Sequence, residues 1–148
     1  MKAVDVVTEI SISVNRNKVA EFSANPDNAP VWYVNIKSVQ WKTPRPLAVG
    51  SQIAFVAHFL GRKLFYVYEI RELIANEKLV MSTSDGPVPM ETTYTWEAID
   101  DHTTRMTLRN RGKPSGFSKL FAPLMAYMMR SANNKDLKLL KQILESKK

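Results

Sequence analysis

Few side chains in this sequence are able to do covalent chemistry, and their placement narrows what chemistry is open. There is no cysteine, so disulfides and thiolate metal sites are excluded. The two histidines, His58 and His102, are not at ligand spacing. His58 is out of phase with Phe55, Ala57 and Phe59 and points away from their strand face, and His102 follows Asp100-Asp101 in a turn. No metal site is expected. The carboxylates offer no catalytic pair either, because Glu69, Glu91 and Glu97 fall on outward strand positions and Asp100 and Asp101 in a turn. A glycine-rich phosphate loop and a nucleophile elbow are both missing.

What is left is a set of inward-facing hydroxyls, on Tyr66, Tyr68, Tyr94, Thr83 and Thr92, with the amide of Asn110. A few hydrogen-bonding groups in an otherwise apolar, aromatic lining describe a ligand site. They equally describe a core with satisfied tyrosines, and both readings stand at this point. A tyrosine acting as general acid would need a lowered pKa, for which the sequence supplies no cause. The methionines add a second signal: Met125, Met128 and Met129 share a helical stretch, while Met81, Met90 and Met106 fall on strands. Flexible thioethers suit a pocket with a variable apolar guest, and they suit core filling as well.

These side chains need a sheet and a helix to hold them. Val4 to Val14 alternates as a half-buried strand. Asn15 or Asn17 can cap a short helix through Phe22, and Asn25-Pro26-Asp27 opens another turn carrying Val31, Trp32 and Tyr33. A second strand runs from Ile36 to Lys42 and is broken by Thr43-Pro44-Arg45-Pro46. Ile53, Phe55, Ala57 and Phe59 then lead through a Gly61-Arg62 turn to a return strand, an arrangement that pairs Phe59 with Leu64 and Phe55 with Tyr68. A fifth strand carries Leu79, Met81 and Thr83. The sixth and seventh pair Ala98 with Thr104, Trp96 with Met106 and Tyr94 with Leu108, which sets Glu97 against Arg105 and Glu91 against Arg111.

From Ser115 to Ser146 the apolar residues recur at three- and four-residue steps, the period of a helix about 48 Å long. Pro123 should kink or restart it, and Phe117, Leu120 and Phe121 ahead of the proline can form either a flap or a capped first turn. The simplest packing is an α+β architecture: a curved seven-stranded antiparallel sheet, two short helices after the first strand, and the long C-terminal helix over the concave, apolar face.

At 148 residues the chain fits one domain spanning residues 1–148. No apolar run approaches the 18 or so residues of a membrane span, and the N-terminus lacks a signal pattern, so a cytoplasmic location is expected. The net charge of +7 is spread along the chain. The lysines at 135, 138, 141, 147 and 148 read as a solvated helix face, and nucleic acid is not an expected partner.

The order of elements, the segment Asn25-Pro26-Asp27 through Pro30-Val31-Trp32, the hairpin Tyr94-Thr95-Trp96-Glu97 to Thr103-Thr104-Arg105-Met106-Thr107, and the terminal helix with Pro123 near its start together resemble the START-like superfamily. Within it, the bacterial polyketide cyclase/dehydrase-type (SRPBCC) proteins are most similar. The resemblance covers nearly the whole chain and implies a helix-grip fold with a cavity between sheet and terminal helix, usually occupied by an apolar or aromatic small molecule.

The candidate ligand-binding set is then Trp32, Phe55, Tyr66, Tyr68, Met81, Thr92, Tyr94, Trp96, Met106, Leu108, Asn110, Phe121, Leu124, Met125 and Met128. The first functional expectation is non-covalent binding of a hydrophobic small molecule: a lipid, an isoprenoid or a polyketide-like compound. The second is a cyclase/dehydrase-type enzyme in which Tyr66, Tyr68 or Tyr94 and Asn110 orient the substrate. A third is a module that binds a protein partner through the basic helix end or Trp32-Tyr33. No cofactor is expected.

Overall fold

The computed structural model describes residues 4–59, 61–85, 89–112 and 122–147. Strand β1 (Val4–Ile12) buries Val4, Val6, Thr8 and Ile12 and exposes Asp5, Val7, Glu9 and Ser11, as period-two alternation requires. Helix α1 (Arg16–Ala24) starts where the Asn15 side chain accepts the Asn17 N–H at 2.9 Å. Asn25 repeats the device three residues ahead of Asn28, accepting the Asp27 N–H and opening a 3-10 turn (Pro26–Asn28) that runs into the short α2 (Ala29–Trp32).

Six further strands follow: β2 (Ile36–Trp41), β3 (Gln52–Phe59), β4 (Arg62–Ile74), β5 (Lys78–Asp85), β6 (Met90–Asp100) and β7 (Thr103–Gly112). They form one antiparallel sheet in the order β1-β7-β6-β5-β4-β3-β2, so the meander from β2 to β7 is completed by β1 returning beside β7. Helix α3 (Ala122–Ser146) lies over the concave face, and the fold is the expected α+β helix-grip arrangement with seven strands.

The β6–β7 register is the one that charges and apolar residues jointly required. Ala98 faces Thr104, Trp96 faces Met106 and Tyr94 faces Leu108, while Arg105 meets Glu97 at 2.9 Å and Arg111 meets Glu91 at 2.7 Å on the outside. The β3–β4 register differs from expectation by two residues. Phe59 pairs with Arg62, Ala57 with Leu64, Phe55 with Tyr66 and Ile53 with Tyr68. A slip of two leaves every side chain on its own face, so the apolar pattern could not detect it. The turn decides instead: Gly61 takes the second turn position with φ +74°, a backbone conformation that glycine adopts without penalty. Phe65 is left on the outer surface, 62% exposed.

Pro123 is the second residue of the described part of α3, which begins at Ala122. The expected helix start at Ser115 and the flap residues Phe117, Leu120 and Phe121 lie outside the described residues. The far half of α3 is fixed to β1. Lys141 Nζ donates to the Ser11 carbonyl at 2.9 Å, and the Ser13 N–H donates to Glu145 at 2.8 Å. Leu137, Leu140 and Leu144 join Ile12, Trp96, Met106 and Leu108 in the main core, to which α1 adds Val19 and Ala20. That half of the concave face is filled by side chains. Beyond the opposite end of α1, the Arg45 guanidinium grips Asp27 and lies over the Trp41 ring, and Trp41 Nε1 donates to the same carboxylate. Among the described residues no helix is long and apolar enough to cross a membrane.

Candidate functional site

The other half of the concave face, bounded by β3 to β7, α2 and the first half of α3, encloses a cavity of about 570 Å³. Its floor is the inward side of the strands: Ile53 and Phe55 on β3, Tyr66 and Tyr68 on β4, Met81 on β5, Tyr94 on β6. Edge-on packing of Phe55 against Tyr68, with ring centroids 5.8 Å apart, keeps the aromatic floor ordered. Its roof is one face of α3, where Leu124, Met125, Met128, Met129, Ala132, Asn133 and Asp136 succeed one another at helical spacing. Leu124 lines the cavity and is also 53% exposed, so this end borders solvent. Twelve residues further along α3, about 18 Å at 1.5 Å per residue, Asp136 is 3% exposed. The cavity thus runs from a leucine and methionine end to a polar end.

Of the polar end, the sequence named Tyr94 as a ligand residue but not Asn133 or Asp136. There the hydroxyls of Tyr33 and Tyr94 hydrogen-bond one another, and the Tyr33 ring stacks against Trp32 with centroids 4.1 Å apart. Burial raises the Tyr33 and Tyr94 hydroxyls well above the usual phenol range. Burial also pushes Tyr68 up to about 12, although a hydrogen bond with Thr92 offsets part of the effect. These tyrosines therefore keep their protons at neutral pH and act through hydrogen bonds. Asp136 accepts the Val34 N–H at 2.9 Å, which helps hold the end of α2 against α3. Burial nevertheless raises its carboxyl to about 6, with the Val34 bond pulling the other way. Beside it, one turn earlier, Asn133 is 6% exposed and its Nδ2 has no hydrogen-bond partner among the described residues.

Of the residues expected to bind a ligand, Phe55, Tyr66, Tyr68, Met81, Tyr94, Asn110, Leu124, Met125 and Met128 stand on the cavity wall. Thr92 lies just behind it, buried, and donates to Asn110 Oδ1 at 2.8 Å, so it positions that amide without lining the space. Trp32, Trp96, Met106 and Leu108 do not line the cavity either. Trp96 is turned toward α1, donating from Nε1 to Ser23 Oγ at 2.9 Å, and Met106 and Leu108 lie in the filled core with Leu137 and Leu140. Trp32 is fully buried beneath Tyr33. Phe121 lies outside the described residues. Asp136 is a carboxylate on the cavity wall that the sequence reading did not name. Glu69, Glu91 and Glu97 do take outer ion pairs as expected. Among the described residues no group of histidines and carboxylates is arranged to hold a metal ion.

A family model described as polyketide cyclase / dehydrase and lipid transport matches residues 3–145. No curated protein matches the sequence. Solved structures do. A START superfamily protein from Mycobacterium smegmatis superposes with a TM-score of 0.82 at 11% identity, covering 97% of this chain and 99% of that one. A protein from Thermus thermophilus gives 0.82 at 16% identity over 96% and 97% of the two chains. The Zhui aromatase/cyclase from a Streptomyces species gives 0.81 at 11% identity over 97% and 94%. Identities this low carry the fold and not the activity.

Proposed function

We propose that this chain, which belongs to the polyketide cyclase / dehydrase and lipid transport family, holds a hydrophobic small molecule between its sheet and α3 without changing it covalently. The observation that carries this reading is the cavity: about 570 Å³, mostly apolar and aromatic, with a few polar groups gathered at one end. Met81, Met125, Met128 and Met129 give its wall adjustable contacts, which favours a lipid, isoprenoid or polyketide-like guest over a rigid polar one. Native mass spectrometry of freshly purified protein, followed by solvent extraction, tests it. A discrete added mass that is lost in Met128→Trp, whose larger side chain intrudes into the cavity, supports the reading. Failure of a panel of apolar probes to bind would overturn it.

One observation favours a second reading, a cyclase/dehydrase-type enzyme. Asp136 is a buried carboxyl held near pH 6 at the cavity's polar end, the range in which a side chain can both give and take a proton. Incubation of an extracted guest with fresh protein separates the two. A carrier returns it unchanged, and an enzyme of this type returns it isomerised or short of one water.

A further inference from the structure

Asn133 and Asp136 lie three residues apart on α3, so their side chains project from one face of the helix, and both stand on the cavity wall. Each is more than nine-tenths buried. Asn133 Nδ2 is a donor with no acceptor among the described residues. The Asp136 carboxylate receives one backbone N–H, from Val34, and among the described residues no cation pairs with it. A buried polar group left unmatched is costly, so the two residues together define what a guest must bring. Of the Tyr33 and Tyr94 hydroxyls beside them one donates to the other, and the remaining proton of the pair can go to the same guest oxygen.

The unmet needs are one acceptor for Asn133 and one donor for Asp136, at adjacent points. A ketone or ether oxygen meets only the first, and an ammonium only the second. A carboxylate head would bring a second negative charge against Asp136. A hydroxyl meets both, its oxygen accepting from Asn133 and its hydrogen going to Asp136. We propose that Asn133 and Asp136 form a hydroxyl-recognition subsite, so that the cavity selects apolar molecules carrying an alcohol or phenol group at one end. This rests on the carrier reading above and adds the chemical class of the guest. The head sets selectivity at the deep end, and the methionine-lined portion near Leu124 takes a variable tail.

Four probes sharing a twelve-carbon tail test the subsite in the full chain: 1-dodecanol, dodecyl methyl ether, dodecylamine and dodecanoic acid, each displacing the fluorophore N-phenyl-1-naphthylamine. The alcohol is expected to bind about 10- to 100-fold more tightly than the ether, the range for one hydrogen bond to a charged acceptor. Asp136→Leu should reduce the alcohol toward the ether while leaving ether affinity unchanged, which also reports that this variant is folded, whereas Asn133→Leu should weaken alcohol and ether alike and leave the amine unchanged. If either variant fails to fold, the wild-type comparison alone decides. Equal binding of alcohol and ether would overturn the subsite while leaving the carrier reading in place. Tightest binding by the amine or the acid would overturn the assignment to a hydroxyl. If none of the four displaces the fluorophore, the carrier reading fails and the subsite with it.

Discussion

Replacing Asp136 by asparagine is expected to stabilise the free protein at neutral pH. Burial holds the carboxyl at about 6 against an ordinary value of 3.8. At about 1.4 kcal/mol per pH unit, this difference corresponds to a penalty of about 3 kcal/mol once the group is ionised in both states. Below 3.8 the group is protonated whether the chain is folded or not, and there is no penalty. As pH rises from 3.8 toward 6 the unfolded chain loses the proton while the folded one retains it, and stability falls. Above about 6 the penalty is complete. Asparagine keeps an oxygen for the Val34 N–H and carries no charge. Thermal melts from pH 4 to 8 should therefore show little difference between variant and wild type at pH 4. The gap should widen through pH 6 to about 6–10 °C and then stay level. No gain at pH 8, or a gain largest at pH 4, would refute the account of Asp136 as an unneutralised buried carboxyl.

Tyr94→Phe leaves the buried Tyr33 hydroxyl without its partner and should lower stability by about 1–2 kcal/mol in denaturant titration; if the chain is an enzyme, the same change should abolish turnover and not only shift affinity. Trp96→Phe removes the bond to Ser23 and part of the ring that packs on α1, with an expected loss of about 2–3 kcal/mol by the same assay. Arg105→Ala breaks an exposed cross-strand pair with Glu97 and should change stability by less than about 1 kcal/mol, with the effect shrinking as salt is added.

Strand alternation revealed every strand, and the pairing of Glu97 with Arg105 and Glu91 with Arg111 fixed the β6–β7 register independently of the apolar residues. Between β3 and β4 no comparable charge pair existed, and a slip of two went undetected. Alternation also assigns a side chain to a face without saying what covers that stretch of the face. Trp96, Met106 and Leu108 share the concave side with Tyr94 but sit under α1 and the far half of α3, away from the cavity. Asn133 and Asp136 were missed for a related reason. They interrupt the apolar stripe of α3 between Met129 and Leu140 at three- and four-residue steps, and a search for apolar period discards polar residues even when they hold the buried positions. The interruption itself was the available signal.

The fastening of α3 to β1 also has a consequence for how the protein is made. Ser13 and Glu145 are joined across 132 residues of sequence, and β1 pairs with β7 along its whole length, from Val4 opposite Gly112 to Ile12 opposite Thr104. During synthesis the strands emerge with their apolar concave side bare, and the helix that carries both the seal and the polar end follows them. Contacts so distant in the chain are slow to form, and exposed strand surface is prone to association in the interval. A nascent chain halted after β7 would accordingly be a client for chaperones, and a hydrophobic guest present at the ribosome would meet an open sheet before it met a closed cavity.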